Sequence, residues 1–362
     1  MKPTIIHIIH NLGRGGAETM LVESLAELRQ YHNVVVVLTP NNHFGEIPGA
    51  DAIHCVAMNR LWQIPGAVLR FRRLFQRYTV ALVHSHLLWP TVVARLGTPR
   101  SIPLVSTVHA FVKSSVEYQR YYLRMIERCS YRFRSSAILA VAEGARKEYF
   151  ELLGLTPRNS KTVYTFVDPR KFQPAPAMRS ATTPFRLISV GALRTQKNYR
   201  WLVDLLAHWD GPPLQVDIYG GGLLYDSLQA QIEATQAPIR LCGEVTDIPA
   251  RIHQYDGMVM CSLYEGFSLG VLEAMASGLP LLLSDIASFR EQAAGTATYF
   301  PLYDKPLAKY QFIQFIQGHE QRAEQRQQAL ERVLAQFTLK RYLQEIDQCY
   351  QQLMAGQPLS NP

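Results

Sequence analysis

From Asp256 to Asp285 the chain reads Asp256-Gly-Met-Val-Met-Cys261-Ser-Leu-Tyr-Glu265-Gly266-Phe267-Ser268-Leu269-Gly270-Val-Leu-Glu273-Ala-Met-Ala-Ser-Gly278-Leu-Pro280-Leu-Leu-Leu-Ser-Asp285. This stretch constrains the fold more than any other. Met258 to Cys261 is a short apolar run with the character of a buried strand. Ser268 stands at the N-cap position of a helix on which Leu269, Leu272 and Ala276 recur at helical spacing. Gly278 and Pro280 end that helix, and Leu281 to Ser284 form a second strand. Strand, loop, helix and strand make one parallel crossover unit, which predicts an α/β fold.

The loop of this unit carries its chemistry. A helix N-terminus presents unpaired N–H groups and the positive end of the dipole, a setting for an anion such as a nucleotide phosphate. Gly266 and Gly270 would let backbone come close to a ligand. Glu265 lies before the helix and Glu273 inside it. One acid can face a sugar while the other accepts hydrogen bonds from ribose hydroxyls. An ordinary surface helix with a solvated Glu is the competing reading of the same spacing.

Length and composition set outer limits. The 362 residues suit one or two α/β domains, and 48% apolar residues suffice for sizeable cores. No apolar run approaches the roughly 18 residues of a membrane-spanning helix. The strand-like Ile5 to Ile9 follows the first residues directly, so no signal peptide is read. Cys55, Cys129, Cys242, Cys261 and Cys349 show no metal-ligand spacing and read as reduced thiols of a cytoplasmic protein. The net charge of +8 divides into +12 over residues 1–180 and −4 over 181–362. A basic first half suits an anionic membrane, a polyanionic substrate or nucleic acid.

Several further stretches follow the same strand–loop–helix logic. Ile5 to Ile9 leads into Gly13-Arg-Gly15-Gly16-Ala17-Glu18 and an apolar-periodic helix. The loop lacks the third glycine of a dinucleotide fingerprint and the Walker lysine, and a tight turn explains it as well. Val34 to Thr39, Ile53 to Val56, Val80 to His84, Leu104 to His109 and Ile138 to Val141 read as further strands. His84-Ser-His86 has a metal-like spacing, but no acidic cluster lies near it in sequence. Pro174, Pro176, Pro184 and the Ser/Thr clusters of 173–184 mark a linker. Beyond it, Phe185 to Val190 precedes Gly191-Ala-Leu-Arg194-Thr-Gln-Lys197, where a guanidinium and an ammonium three residues apart suit a diphosphate. Leu214 to Tyr219 runs into Gly220-Gly-Gly, and Ile239 to Gly243 into Glu244-Val245.

Two helices combine arginine with aromatic residues. From Pro65, Val68, Phe71, Leu74 and Phe75 share one side, and Arg70, Arg73 and Arg77 much of the other. Residues 117–134 carry Tyr118, Tyr121, Tyr122 and arginines at 120, 124, 128, 132 and 134. Such helices either pack inward under a solvated basic face or lie on a membrane surface, with Trp62 and Phe71 near lipid.

Tyr264-Glu265-Gly-Phe-Ser-Leu-Gly-Val-Leu-Glu273-Ala-Met-Ala-Ser-Gly-Leu-Pro280 resembles the Glu-x7-Glu signature of retaining glycosyltransferases of family four. The resemblance extends from Gly15 to the last helix. It implies a GT-B fold, two Rossmann-like domains with parallel sheets facing across a cleft. An N-terminal acceptor-binding domain would span 1–177 and a nucleotide-sugar-binding domain 178–338. The terminal helix, 339–362, would cross back to the first domain.

The resemblance also assigns roles. Glu265 would position the sugar hydroxyls, and His109, in Val-Ser-Thr-Val-His109-Ala, would lie beside the reacting sugar. Gly15, Gly16, Arg194, Lys197, Gly220, Val245, Gly266, Phe267, Ser268, Leu269 and Glu273 would surround the donor. Ala192 occupies the place where the family often has arginine, and Arg194 stands in for it. The donor would be a UDP- or GDP-sugar, with no cofactor. The sequence has no Asp-x-Asp, which fits metal-independent transfer to a lipid-linked glycan of a cell-surface polysaccharide, at the inner face of the membrane. A sugar-nucleotide epimerase of the same fold is the alternative. A nucleic-acid-binding protein would explain the basic half but not the Glu265 unit, and no nucleic-acid motif is present.

Overall fold

The computed structural model describes residues 2–13, 15–113, 116–156, 158–174, 183–318 and 322–359. Most of the expected linker lies outside them. The chain divides into two compact units, Met1–Thr165 with Lys340–Pro362, and Phe166–Leu339.

In the first unit strands and helices alternate in the order β1 (Thr4–Ile9), α1 (Gly16–Leu25), β2 (His32–Val37), β3 (Ala52–Cys55), α2 (Ile64–Arg77), β4 (Val80–His86), α3 (Leu88–Gly97) and β5 (Leu104–Val108). Then follow α4 (Val116–Gln119), α5 (Tyr121–Phe133), β6 (Ala137–Ala140), α6 (Glu143–Leu153) and β7 (Ser160–Thr162). The strands form one sheet in the order β3-β2-β1-β4-β5-β6-β7, and every pairing is parallel. Helical crossovers cover both faces of such a sheet, so its central strands are buried on both sides rather than alternating between core and solvent. All six residues of β1 are buried.

The second unit repeats the scheme with β8 (Phe185–Val190), α7 (Tyr199–Leu205), β9 (Leu214–Tyr219), α8 (Tyr225–Thr235), β10 (Ile239–Gly243), α9 (Ile248–Arg251), β11 (Gly257–Met260) and α10 (Leu269–Ala276). It continues through β12 (Leu281–Ser284), α11 (Ala287–Ala293), β13 (Thr298–Phe300), α12 (Lys305–Gln317) and α13 (Ala323–Gln336). Its sheet order is β10-β9-β8-β11-β12-β13, again all parallel. Phe185, Leu187, Val216, Val259 and Leu282 meet Leu202, Phe312 and Phe315 in its core.

Each sheet reverses direction of growth once, between β1 and β4 and between β8 and β11. Ligands of open α/β sheets bind beyond the carboxyl ends of the strands at such a switch. The Glu265 loop follows β11 and the Lys197 loop follows β8, so both emerge at the switch of the second unit.

The break between units falls at 165/166, ahead of the 177/178 read from linker composition. The reason is local pairing. Val167 N–H donates to Phe337 O at 2.8 Å and Leu339 N–H to Val167 O at 3.1 Å, which ties this segment to the end of α13. The last helix, α14 (Leu339–Met354), then packs on the first unit from Lys340 onward. Leu339, Tyr342, Ile346, Cys349, Tyr350 and Leu353 are its buried residues. Tyr31 donates from its hydroxyl to Asp347 at 2.7 Å.

One expectation on α2 is overturned. Phe71 is fully buried in the core of the first unit, so it has no lipid-facing position. The exposed apolar residues here are Leu61, Trp62 and Leu69. Arg70 is held by the Val56 carbonyl at 2.7 Å and the Ala57 carbonyl at 3.1 Å.

Candidate donor site at the switch point of the second unit

Glu265 is 6% exposed and gathers three donors. Lys197 Nζ lies 2.7 Å from Oε1, Ser262 Oγ donates to the same oxygen at 2.7 Å, and Gln196 Nε2 reaches Oε2 at 3.3 Å. A carboxylate taken this far out of water needs such partners. The Lys197 loop and the Glu265 loop are also joined by backbone. Leu263 N–H donates to Gln196 O at 2.9 Å, and Gln196 Nε2 donates to Tyr264 O at 3.0 Å. Cys261 Sγ lies 3.1 Å from Lys197 O, and burial pushes this thiol up to about 12.

Lys197 closes a single 3-10 turn, Thr195–Lys197, and Asn198 follows with φ 59°. Asn is among the few residues that adopt this left-handed conformation without large cost. The turn directs the lysine stem back across Gly191, where a Cβ would stand 2.8 Å from Lys197 Cε. Gly220 has φ +150°, and a Cβ there would lie 2.1 Å from the Gly191 carbonyl oxygen. Gly191 N–H donates to Tyr219 O at 2.9 Å and Gly220 N–H to Gly243 O at 2.8 Å. The loops after β8, β9 and β10 are thus laced together, and Val245 follows in the third of them, half-buried. Arg194 is exposed and has no ion-pair partner among the described residues.

Helix α10 starts where the sequence indicates, but its cap is different. Ser268 is the N-cap residue with extended backbone, and its side chain makes no capping hydrogen bond. The Gln292 side chain serves this end instead. Its Nε2 donates to Ser268 O at 2.8 Å, and its Oε1 accepts from Ser268 N–H at 3.1 Å. Gln292 is fully buried and is invisible to motif reading, because it comes from α11. At Gly270 a Cβ would meet the Val190 carbonyl oxygen at 3.4 Å, an ordinary van der Waals contact. The Leu272 N–H is the first of the helix to find its backbone acceptor, Ser268 O at 3.2 Å, so the first-turn amides of Leu269, Gly270 and Val271 remain as donors. Phe267 turns its ring inward, 5.0 Å from Phe337, and Gly266 is buried beside it. Glu273 is half-buried one turn inside the helix.

The remaining site residues lie in the first unit. Gly15 is the N-cap of α1 and Gly16 its first residue. A Cβ on Gly15 would stand 2.3 Å from Glu18 Oε2, so the chain's own carboxylate lies at this helix start. His109 follows β5, and its Nε2 is 3.1 Å from His86 Nδ1. His84 is held on both nitrogens, by Tyr350 at 2.6 Å and Thr107 at 2.7 Å.

The structure adds a residue that the His84-Ser-His86 spacing could not supply. His7 of β1 joins them, with one nitrogen from each ring within 4.8 Å of the others. Asn33 Nδ2 donates to Leu28 O and Gly49 O, so its oxygen faces His7 Nε2 at 3.3 Å and that nitrogen carries the proton. Burial pushes His7 and His109 down to about 4 and His84 and His86 well below their usual value, so all four rings are neutral at neutral pH. His7, His84 and His86 are the residues here that could hold a metal. On His84 a cation would have to displace Thr107 or Tyr350, whereas His7 Nδ1 and His86 Nε2 are buried with no hydrogen-bond partner among the described residues.

Comparison with known proteins agrees with this architecture. Residues 14–171 match the model of Glycosyltransferase Family 4, and residues 184–309 that of Glycosyl transferases group 1. The two halves of the chain are therefore glycosyltransferase-type domains in a GT-B fold. The structure of Anabaena HepE in complex with UDP and glucose superposes with a TM-score of 0.81 at 17% identity, over 96% of this chain and 98% of that one. The GtfA subunit of the Streptococcus gordonii UDP-N-acetylglucosamine–peptide N-acetylglucosaminyltransferase is 38% identical over 28% of this chain, but the match spans 21% of its own length. The Escherichia coli O-antigen biosynthesis glycosyltransferase WbnH is 27% identical over 44% of this chain and 45% of its own.

Proposed function

We propose that this protein is a retaining glycosyltransferase that moves a sugar from a nucleotide-diphosphate sugar to an acceptor hydroxyl. The observation that carries this reading is the buried Lys197–Glu265 pair beside the open N-terminus of α10, at the switch point of the second sheet. The difficult part of such a transfer is the negative charge that develops on the leaving diphosphate. Lys197 has N–H donors beyond the one given to Glu265. With Arg194 and the amides of Leu269 and Gly270 it would stabilise that charge without reorganisation. Glu265, fixed by Ser262 and Gln196, would accept hydrogen bonds from the sugar. Glu273 would receive the ribose, and Val245 would border the base. With this stabilisation from Lys197, Arg194 and the α10 amides, the proposed transfer would proceed without a metal. HepE, whose structure contains UDP and glucose, supports a UDP-sugar as donor.

The acceptor we propose is a lipid-linked glycan in cell-surface polysaccharide synthesis, met at the membrane surface. WbnH supports the pathway class, and α5 supports the location. On α5, Tyr121, Met125, Cys129 and Phe133 fall at four-residue spacing and all are exposed, with Tyr121 at 70% and Phe133 at 57%. Arg124, Arg128 and Arg132 run beside them. An apolar stripe next to a basic one is the pattern of a helix lying in an interface. No helix among the described residues is long and apolar enough to cross a membrane.

Thermal melting against UDP, GDP, ADP and dTDP tests the donor. A ligand at ~100 times its Kd adds roughly 2.7 kcal/mol of stability. We expect UDP to shift the melt. Radiolabelled transfer to a membrane extract, unaffected by EDTA, and an anomeric configuration retained in the product complete the test. No shift with any nucleotide would refute the assignment.

A further inference from the structure

A buried polar network in the first unit includes none of the residues assigned above to the donor. Arg95 of α3 is 1% exposed and meets Glu127 of α5, which is 2% exposed. Arg95 Nη1 donates to Glu127 Oε1 at 2.7 Å and to Ser130 Oγ at 3.0 Å, and Nη2 donates to Tyr149 OH at 3.1 Å. The Tyr149 hydroxyl donates in turn to the same Glu127 oxygen. One carboxylate oxygen thus takes both donors. The other, Oε2, is buried and has no hydrogen-bond partner among the described residues. A bare carboxylate oxygen inside a protein forfeits its hydration, so an interior of this kind favours a ligand that donates to it.

Glu127 and Tyr149 line a small cavity of about 60 Å³ at the carboxyl ends of β4 and β5, which His109, Thr107 and the first turn of α3 also line. This is the end of the sheet where ligands bind. The α3 N-cap, Leu87, has φ 69° and no side-chain cap, and the Thr91 N–H returns to Leu87 O at 3.2 Å. The Leu88 and Trp89 amides ahead of it are first-turn donors, while Pro90 has none.

The cavity therefore offers an acceptor and donors together. A cation is disfavoured, because Arg95 already neutralises Glu127 and the helix end is positive. An anion is disfavoured by the carboxylate itself. A neutral hydroxyl, which both donates and accepts, satisfies both sides. Leu88, Val108 and Val112 give the cavity apolar walls suited to the carbon that bears it. The volume admits a hydroxymethyl group and excludes a whole pyranose ring.

We propose that this cavity is a subsite for a hydroxymethyl or hydroxyl group of a sugar, with Glu127 Oε2 accepting its hydrogen bond beside His109. That the hydroxyl belongs to a sugar rests on the glycosyl-transfer reading. It comes either from the transferred sugar or from the acceptor.

Two variants of the full chain test this. Ala110→Phe enlarges a side chain that lines the cavity and leaves Arg95 and Glu127 themselves unchanged. Glu127→Gln keeps the size and removes the charged acceptor. Calorimetry with UDP, UDP-glucose and UDP-galactose, and saturation-transfer NMR with methyl glucoside, methyl galactoside and methyl N-acetylglucosaminide, are read for each. UDP affinity is expected to stay within about twofold of wild type.

If the transferred sugar fills the cavity, the UDP-sugar that wild type binds more tightly than UDP loses its advantage roughly tenfold in Ala110→Phe. If the acceptor fills it, UDP-sugar binding is unchanged and the glycoside signal of wild type disappears. Glu127→Gln, where it folds, follows the same pattern. A glycoside signal without any nucleotide binding sinks the glycosyl-transfer reading and leaves the subsite standing. Wild-type binding of every probe by Ala110→Phe, or no wild-type response to any sugar, overturns the proposal.

Discussion

Lys197 Nζ lies 2.7 Å from Glu265 Oε1 although 68 residues separate them, and both side chains are less than one-fifth exposed. Each comes from the loop beyond its own strand, β8 for the lysine and β11 for the glutamate. The two strands are neighbours only because the sheet reverses direction there. The pair therefore couples the stability of these loops to the chemistry assigned to them.

Removing one partner of a buried pair strands the other charge. Lys197→Met should lower unfolding stability by about 3–5 kcal/mol. Arg194→Ala, an exposed control, should change it by less than about 0.5 kcal/mol. Urea unfolding followed by circular dichroism measures both. Equal effects would mean that the buried pair has no special weight.

Glu273→Ala should weaken UDP binding more than Glu265→Ala does, because the bare nucleotide carries a ribose and no sugar. Loss of a charge-assisted hydrogen bond costs roughly 1.5–3 kcal/mol. Titration calorimetry with UDP separates the variants, and equal losses contradict the division of labour.

Gly220 has no room for a side chain. With φ at +150° and a Cβ position 2.1 Å from the Gly191 carbonyl oxygen, Gly220→Ala must push the β8 and β9 loops apart. We expect a loss of more than about 2 kcal/mol in stability. Gly295→Ala, at φ +89° with nothing within 4 Å, is the comparison that isolates backbone strain from collision. A Gly220→Ala protein as stable as Gly295→Ala would show that the loops yield freely.

The histidine cluster predicts acid sensitivity. Burial lowers His7 from 6.5 to about 4. Between those values the unfolded chain takes up a proton that the folded chain refuses. Stability is therefore complete above about pH 6.5 and falls as the pH drops toward 4. His7 alone accounts for a loss on the order of 3 kcal/mol at the acid end. His84 and His86 are shifted in the same direction, first by burial and then by neighbouring histidines that include His7 and His109, and add to it. His7→Gln keeps a donor for Asn33 and should flatten this dependence in urea unfolding measured from pH 7.5 to 4.5. An unchanged slope would exclude His7 as its source.

Membrane docking through α5 should depend on charge and on the apolar stripe. Wild-type protein should co-sediment with vesicles rich in anionic lipid, bind neutral vesicles weakly, and be released by high salt, since the Debye length shrinks from about 10 Å at 0.1 M to about 3 Å at 1 M. Tyr121→Ser with Phe133→Ser should lose binding while melting normally, because both side chains face solvent. The Arg70, Arg73 and Arg77 face of α2 is expected to matter less, as Arg70 is engaged with the Val56 and Ala57 carbonyls. Binding of that double variant equal to wild type would place the membrane contact elsewhere.

The sequence alone determined the local units. Apolar runs bounded by glycine and proline located the strand at 257–260, the helix at 269–276 and the strand at 281–284 nearly to the residue. The same patterns gave the α/β class and placed the glycine loops at strand ends, because periodicity and turn chemistry are properties of neighbouring residues. Which side of a sheet each crossover takes is not such a property. Tertiary structure alone put β8 beside β11, and so put Lys197 on Glu265. It brought Gln292 from α11 to the start of α10 in place of a Ser268 cap, and His7 from β1 to His84 and His86. It turned Phe71 into the core although its helical spacing would equally allow a lipid-facing ring. In each case the deciding interaction joins residues far apart in the chain, and only the order of the strands sets which distant residues meet.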